Sequence, residues 1–297
     1  MAGIPFVREL KFTYGEVDQV SPLIRRVICE NPGPFTFLGT GVYIIGKGDV
    51  AVIDPGPPID AHFEALKRAL AGERVTHVFT THTHLDHSPL AHPLAQWAGA
   101  KVYGVPDPAG TSDHASLEED GQEGFAPDVL VKDGDTFTGP GWTLEAIATP
   151  GHMSNHVCYA LREENALFSG DHIMGWSTTV ISPPDGNMGD YYRSLDKIRA
   201  RGFDVLWPTH GPPVREVTPF IDAYAAHRRA REEAIMARLK AGDTLIPEMV
   251  KVIYKDVDVR LHAPAAHSVL AHMIHLVEAG RAQADGPFNL ATHYRPA

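Results

Sequence analysis

The sequence predicts an α/β protein, a layered body followed by a small helical module, and three observations carry that expectation. Strand-like runs come first and then alternate with helix-like ones, the order of a layered α/β body. From Val217 onward the helical period dominates. The chain has 297 residues, enough for one large domain and one small one, and its 43% hydrophobic and 21% charged residues are globular usage.

The elements follow in order. Residues 20–29, 35–45 and 49–53 are β-branched and apolar with Gly and Pro between them, and Gly46-Lys47-Gly48 turns the last two into a hairpin ending at Asp54-Pro55-Gly56. Residues 59–70 place Phe63, Leu66 and Leu70 at helical spacing, and 75–80 form a β-branched strand. Residues 106–128 are rich in Gly, Pro, Asp and Glu without either period, which reads as a loop or lid. Strands are expected at 142–148, 157–161 and 166–169, with a turn over 162–165, then a helix over 190–201 and a strand at 205–207. Helices over 220–240, 246–254 and 265–279 complete the chain, the third closed by Gly280, with a short β tail. The expected division is a body over 1–216 and a helical module over 217–297.

Charge and apolar content narrow the function classes. No apolar run approaches the roughly 18 residues that span a bilayer, and the first seventeen residues interleave charge with apolar groups, so a cytoplasmic protein with no membrane partner is expected. Cys29 and Cys158 lie in apolar strand-like stretches and read as buried thiols. Residues 220–297 carry ten basic against nine acidic side chains, so the net charge of −11 belongs to the preceding body. Such a body repels a phosphate backbone at long range, which lowers the weight of a nucleic-acid substrate without excluding it.

The sharpest feature is Thr81-His82-Thr83-His84-Leu85-Asp86-His87, directly after a predicted strand. Three imidazoles and a carboxylate in six residues are poorly explained by packing. His82 and His84, two residues apart, can offer nitrogens to one ion, while Asp86 and His87 face a neighbouring position. Nitrogen and carboxylate donors without thiolate suit zinc, manganese or iron. His152 in Thr-Pro-Gly-His, Asp171 in Ser-Gly-Asp and His210 in Pro-Thr-His-Gly each end an apolar strand beside a glycine, where functional groups of α/β proteins gather.

His-x-His-x-Asp-His followed by Pro-Gly-His, Ser-Gly-Asp and His-Gly resembles the metallo-β-lactamase superfamily over about residues 20 to 215. The resemblance implies an αββα sandwich of two mixed sheets covered by helices, with the site open at one edge. It assigns His82, His84 and His152 to one metal, Asp86, His87 and His210 to a second, and Asp171 between them; Asp54 matches the superfamily's structural aspartate. All seven positions are filled, which favours two-metal hydrolases over the single-iron oxygenase branch. Ser88-Pro89 stands where many members have two glycines. Two divalent ions, zinc in this reading with manganese or iron as alternatives, lower the pKa of a shared water so that hydroxide is available near neutral pH, and Asp86 is the expected catalytic group that orients it or carries its proton.

Other polar residues have plainer readings. His62, His77, His92, His114 and His172 are expected in ordinary core or surface roles. Asn155 and His156 follow the Pro-Gly-His turn and reach either substrate or a local hydrogen bond. Trp176, residues 178–181, Tyr191 and Tyr192 read as packing, and Arg228, Arg229 and Arg231, followed by Glu232 and Glu233, as a solvated helix face.

The sequence His227-Arg228-Arg229-Ala230-Arg231-Glu232 and the later stretch from His272 to Arg281 resemble the winged-helix tail of the beta-lactamase-like protein 2 family. The function expected is hydrolysis of a small ester, thioester or lactone, with the tail walling the pocket. The alternative is a metal-dependent endoribonuclease on single-stranded RNA, an activity that the resemblance brings with it. A complete donor set weighs against a purely binding role, and the missing export pattern weighs against an antibiotic-destroying enzyme.

Overall fold

The computed structural model describes residues 3–106, 122–256, 258–259 and 262–297. Two sheets lie face to face. The first runs β1 (Val17–Gln19), β2 (Ile24–Ile28), β3 (Gly41–Lys47), β4 (Asp49–Ile53), β5 (Arg74–Phe79), β6 (Lys101–Gly104) and β7 (Val129–Leu130). Its first four strands pair antiparallel and its last three join in parallel, through α1 (Asp60–Ala69) and α2 (Ala91–Ala98). The second is ordered β12 (Val205–Pro208), β11 (Ala166–Gly170), β10 (Val157–Leu161), β9 (Trp142–Ala148) and β8 (Thr136–Gly139). Only β11 and β12 are parallel in it, linked by the helix α3 (Met188–Arg201).

Alternation along the strands decides the layers. On β3, Tyr43 and Ile45 face the second sheet, where they meet Tyr159, Phe168 and Trp142. Val42 and Ile44, one residue out of phase, face Leu66 of α1 and Leu94 of α2. The outer face of the second sheet takes Tyr191, Leu195 and Ile198 of α3 and Phe220, Ile221 and Tyr224 of α4 (Val217–Lys240). The result is the four-layer αββα sandwich, with aromatic rings filling the gap between sheets and each such side chain contributing about 1.5–3 kcal/mol on burial.

Beyond the sandwich, α4 continues into a second core with α5 (Ile246–Ile253), α6 (His262–Glu278) and the hairpin β13 (Ala282–Ala284) and β14 (Tyr294–Pro296). One helix thus serves two cores, its first half packing on the sheet and its second half, from Ile235 to Leu239, on Met249 and Met273. Gly280 takes the expected positive φ of 68° after α6.

Several expected boundaries move. The run 20–29 becomes strand only from Ile24, because Ser21 and Pro22 turn the chain between β1, which precedes the run, and β2; Ser21 Oγ accepts the Ile24 amide at 3.1 Å. The run 35–45 becomes strand only from Gly41, since Phe37 adopts a positive φ of 57° and 33–40 form a turn. The helix α2 and strand β6 were not expected. Most of 106–128 lies outside the described residues, His114 included. Cys29 and Cys158 are free and buried. Among the described residues no helix is long and apolar enough to cross a membrane.

Candidate metal centre

The seven singled-out side chains converge where β5, β9, β11 and β12 end on one edge of the sandwich. Backbone bonds stitch the two sheets together there: the Gly41 amide donates to Thr209 O at 2.8 Å and the Val157 amide to Thr81 O at 2.8 Å. The segment 81–88 leaves β5 as a tight coil in which the amides of His87 and Ser88 both reach His84 O. Leu85 points outward, 39% exposed, whereas His82, His84, Asp86 and His87 are buried. Ser88, in place of the expected glycine, is buried and its hydroxyl donates to Gln122 Oε1 at 2.8 Å, so the departure fits the loop.

Glycines let the other three approach. Gly151 has φ of 139°, and a Cβ there would sit 2.5 Å from Tyr191 Cα. Gly170 has φ of 51°, and a Cβ there would be 2.6 Å from His156 Nε2. His152 and Asp171 follow these two glycines directly.

The donors fall into three overlapping trios, His82/His84/His152, Asp86/His87/His210 and, between them, His82/His87/Asp171. In the first, His84 Nδ1 lies 2.9 Å from His82 Nε2 and 3.2 Å from His152 Nε2. In the second, His210 Nε2 lies 3.2 Å from His87 Nε2 and 3.0 Å from Asp86 Oδ2. Asp171 turns one oxygen to each: Oδ1 is 3.5 Å from His210 Nε2 and 3.6 Å from His87 Nε2, while Oδ2 is 4.0 Å from His152 Nε2.

Hydrogen bonds on the far side of each ring fix what faces inward. His152 Nδ1 is 2.8 Å from Val180 O and His210 Nδ1 is 3.2 Å from Gly39 O; a carbonyl only accepts, so both Nδ1 atoms carry the proton. His87 Nδ1 donates likewise to Asp54 Oδ2 at 2.9 Å. Thr81 Oγ1 donates to Asp54 Oδ2 at 2.8 Å and therefore accepts from His82 Nδ1 at 3.0 Å. Four imidazoles thus turn Nε2 to the interior, the nitrogen each can offer to an ion. Asp54, wholly buried, is the hub: it also accepts from the Thr81 amide and Thr209 Oγ1.

Charge follows this geometry. Burial, aided by the neighbouring imidazoles, holds the pKa of His82 well below the ordinary value and that of His84 down to about 3. For His87 burial acts in the same direction, but the carboxylates of Asp86, Asp54 and Asp171 outweigh it and raise its pKa; Asp171 and Asp86 do the same for His210. Burial raises both Asp86 and Asp171, but their histidine neighbours outweigh it and hold them below the usual carboxylate range.

This donor set fits divalent metal ions. The Nε2 atoms of His87 and His210 face each other at 3.2 Å with the Asp86 and Asp171 carboxylates beside them, and among the described residues the buried Asp171 Oδ1 has no hydrogen bond. Cations resolve both. A tetrahedral site with bonds of about 2.0–2.1 Å has donor–donor edges of about 3.3 Å, which the closest contacts here bracket.

Other expectations resolve individually. His156 is a supporting group: it is buried, contacts Thr149 Oγ1 at 2.9 Å, and accepts the Asp171 amide at 3.2 Å. Asn155 donates to Thr83 Oγ1 at 2.9 Å. Trp176 stacks on Phe37 at 4.6 Å, and His62 is buried on Pro55 O. The solvated face expected for the arginine run holds for Arg229 and Glu233, which are exposed, and is corrected for Arg228 and Glu232. Arg228 and Glu232 are only 3% and 4% exposed, because this side of α4 is covered by segment 178–180, α3 and α6. The carbonyls of Gly39 and Val180 gave no sequence signal, whereas Thr209, inside Pro-Thr-His-Gly, did.

Buried donors of this kind at the open edge of an αββα sandwich define a class, the metal-dependent hydrolases. The chain belongs to the metallo-beta-lactamase superfamily, whose family model matches residues 36–210; a beta-lactamase associated winged helix domain matches 246–287. A beta-lactamase-like protein 2 homolog of Caenorhabditis elegans is 32% identical over 252 residues, 81% of this chain and 79% of that protein. An atrochrysone carboxyl ACP thioesterase of Paecilomyces divaricatus is 33% identical over 256 residues, 80% and 74% of the two. Among solved structures, a beta-lactamase domain protein from Burkholderia ambifaria superposes with a TM-score of 0.81 at 22% identity, covering 97% of this chain and 96% of that one. That last likeness concerns the fold alone.

Proposed function

We propose that the chain hydrolyses a small ester, thioester or lactone at a dinuclear metal centre. The observation that carries this reading is the pair of donor trios with Asp171 between them, one of its oxygens turned to each. His82, His84 and His152 would hold one ion, Asp86, His87 and His210 the other, and Asp171 both. Zinc suits this nitrogen-rich set best, and manganese or iron also fits it. When bound, such ions supply an activated water near neutral pH and polarise the scissile carbonyl.

The protein's own part is positional. Asp54, Val180 O and Gly39 O hold the imidazoles in the tautomer that leaves Nε2 free. Asp86, set against His87 and His210, accepts a hydrogen bond from the attacking water and aims it. Similarity to a thioesterase over most of the chain supports acyl chemistry, and the acidic body supports a small substrate over RNA.

The test is hydrolysis of a panel of acyl thioesters and lactones by zinc-loaded protein, with Asp86→Ala beside it and a fluorescent single-stranded RNA as competitor substrate. The expected outcome is acyl turnover that falls about 100-fold or more in the folded variant. Full activity in Asp86→Ala, or cleavage of RNA with the acyl panel untouched, would overturn the proposal.

A further inference from the structure

Beside the metal centre, a cavity of about 290 Å³ opens between segment 178–180, α4 and α6. Its wall is shared with the centre: Thr179 Oγ1 donates to Asp171 O at 2.7 Å, and Val180 O holds His152. Arg228, Arg231, His227 and His272 line it, and among the described residues no acidic side chain does. In a chain of net charge −11 this is a local reversal of sign.

Two of these groups are buried with bonding capacity unused. The Arg228 side chain, 3% exposed, donates from Nη2 to Thr179 O and lies 5.4 Å from the Tyr191 ring centroid; its Nε has no hydrogen-bond partner, and among the described residues it forms no ion pair. A buried guanidinium without a carboxylate is costly unless an anion completes it. His272 is fully buried; its Nδ1 lies 3.5 Å from Glu232 Oε1, and its Nε2 has no hydrogen-bond partner among the described residues. Glu232 is not among the residues that line the cavity, and besides His272 it contacts Arg281 and His275, at 3.2 and 2.9 Å. Arg231, held over the Tyr254 ring at 4.2 Å, likewise forms no ion pair among the described residues. The pKa of His272 is pushed down to about 4, by burial first and with Arg228 and Arg231 contributing positive potential.

We infer that this cavity is a second subsite that binds an oxyanion, a carboxylate or phosphate carried by the substrate away from its scissile bond. The link to turnover rests on the acyl-hydrolase reading; the binding itself does not. Arg228 and Arg231 offer forked N–H donors, Ser268 and Thr178 add hydroxyls, and Val180, which lines the cavity, also holds His152 through its carbonyl.

The binding test titrates zinc-loaded protein with methyl phosphate and, separately, with propionate, following the histidine-ring signals by long-range 1H–15N NMR. Saturable shifts of the His227 and His272 rings are expected, and the probe that binds more tightly identifies the head group. Arg231→Gln should weaken binding about tenfold or more, since charge-assisted bonds to an anion are lost. Arg229→Gln, on the exposed side of the same helix, should not. Arg231 is preferred to Arg228 because it is only half-buried and its loss leaves the core intact. Anions that move only the rings of the metal centre would overturn the subsite.

A kinetic arm compares a carboxylate-ended thioester with its neutral amide. The anion should be favoured about tenfold in kcat/KM, and Arg231→Gln should bring the ratio towards one. Equal rates in the wild type would count against the subsite. Turnover of neither thioester would sink the acyl-hydrolase reading, and the NMR arm would still decide the anion site.

Discussion

At the scale of single residues, the centre depends on groups that never face it. Asp54 takes four hydrogen bonds, and two of them set the protons of His87 and His82, one directly and one through Thr81. Asp54→Asn keeps the volume but turns one acceptor into a donor, aimed at groups that must themselves donate. Metal affinity should fall about 10- to 100-fold, measured by competition with a chromogenic chelator. Unchanged affinity would show that the tautomers are set elsewhere. This part of the site was half legible. The histidines stand in a dense motif and were readable from the residues, whereas Asp54, at the end of a hairpin, was singled out only by the superfamily resemblance. The carbonyls of Gly39 and Val180 were not, because any residue carries a carbonyl and only the fold aims it.

The elements around the centre tell a similar story. Strand ends and the histidine coil were legible because β5, β9, β10 and β11 are dominated by β-branched, aromatic and aliphatic residues, and Gly141, Pro150 and Gly170 mark strand ends. The helix α2 was not: Ala91-His92-Pro93-Leu94-Ala95-Gln96-Trp97-Ala98 is short, and its proline reads as a breaker. Pro93 is tolerated as the third helical residue, where a backbone N–H has no helical partner to lose. The burial of Arg228 was also hidden, since its cover comes from residues about fifty positions earlier. The turn before His152 yields a sharper prediction. Gly151→Ala forces a positive φ on a side chain and drives its Cβ into the Tyr191 backbone. It should lower stability by about 3 kcal/mol or more, read from the urea midpoint, and displace His152. A stable variant with unaltered metal binding would contradict the close approach of α3.

For the molecule as a whole, buried neutral histidines shape the response to acid. His62, 4% exposed, has its pKa lowered from 6.5 to about 4 by burial, against the opposing bond to Pro55 O. Its folded pKa lies below the unfolded one, so between about pH 6.5 and 4 the unfolded chain binds a proton that the folded chain refuses. Stability therefore falls as the pH is lowered through that window and levels off below it, His62 accounting for about 3 kcal/mol at most. Urea denaturation from pH 7 to 4.5, with chelator present throughout, should give a shallower pH slope for His62→Leu than for the wild type. Identical slopes would mean that His62 is not neutral in the fold.

The sharing of α4 bears on how such a chain can be recombined. We propose a body over 1–216 and a helical module over 217–297, joined through this helix. A chimera spliced at 216/217 takes all of α4 from the second parent, so Phe220, Ile221 and Tyr224 meet a foreign sheet while Ile235 and Leu239 keep their native partners. A crossover at 241–245, after the helix, reverses the mismatch and leaves the metal-bearing sandwich with its own outer layer. Exchange of the terminal module between relatives is therefore tolerated best when the cut follows α4, and the module behaves less like a detachable bead than like a graft that must match its rootstock.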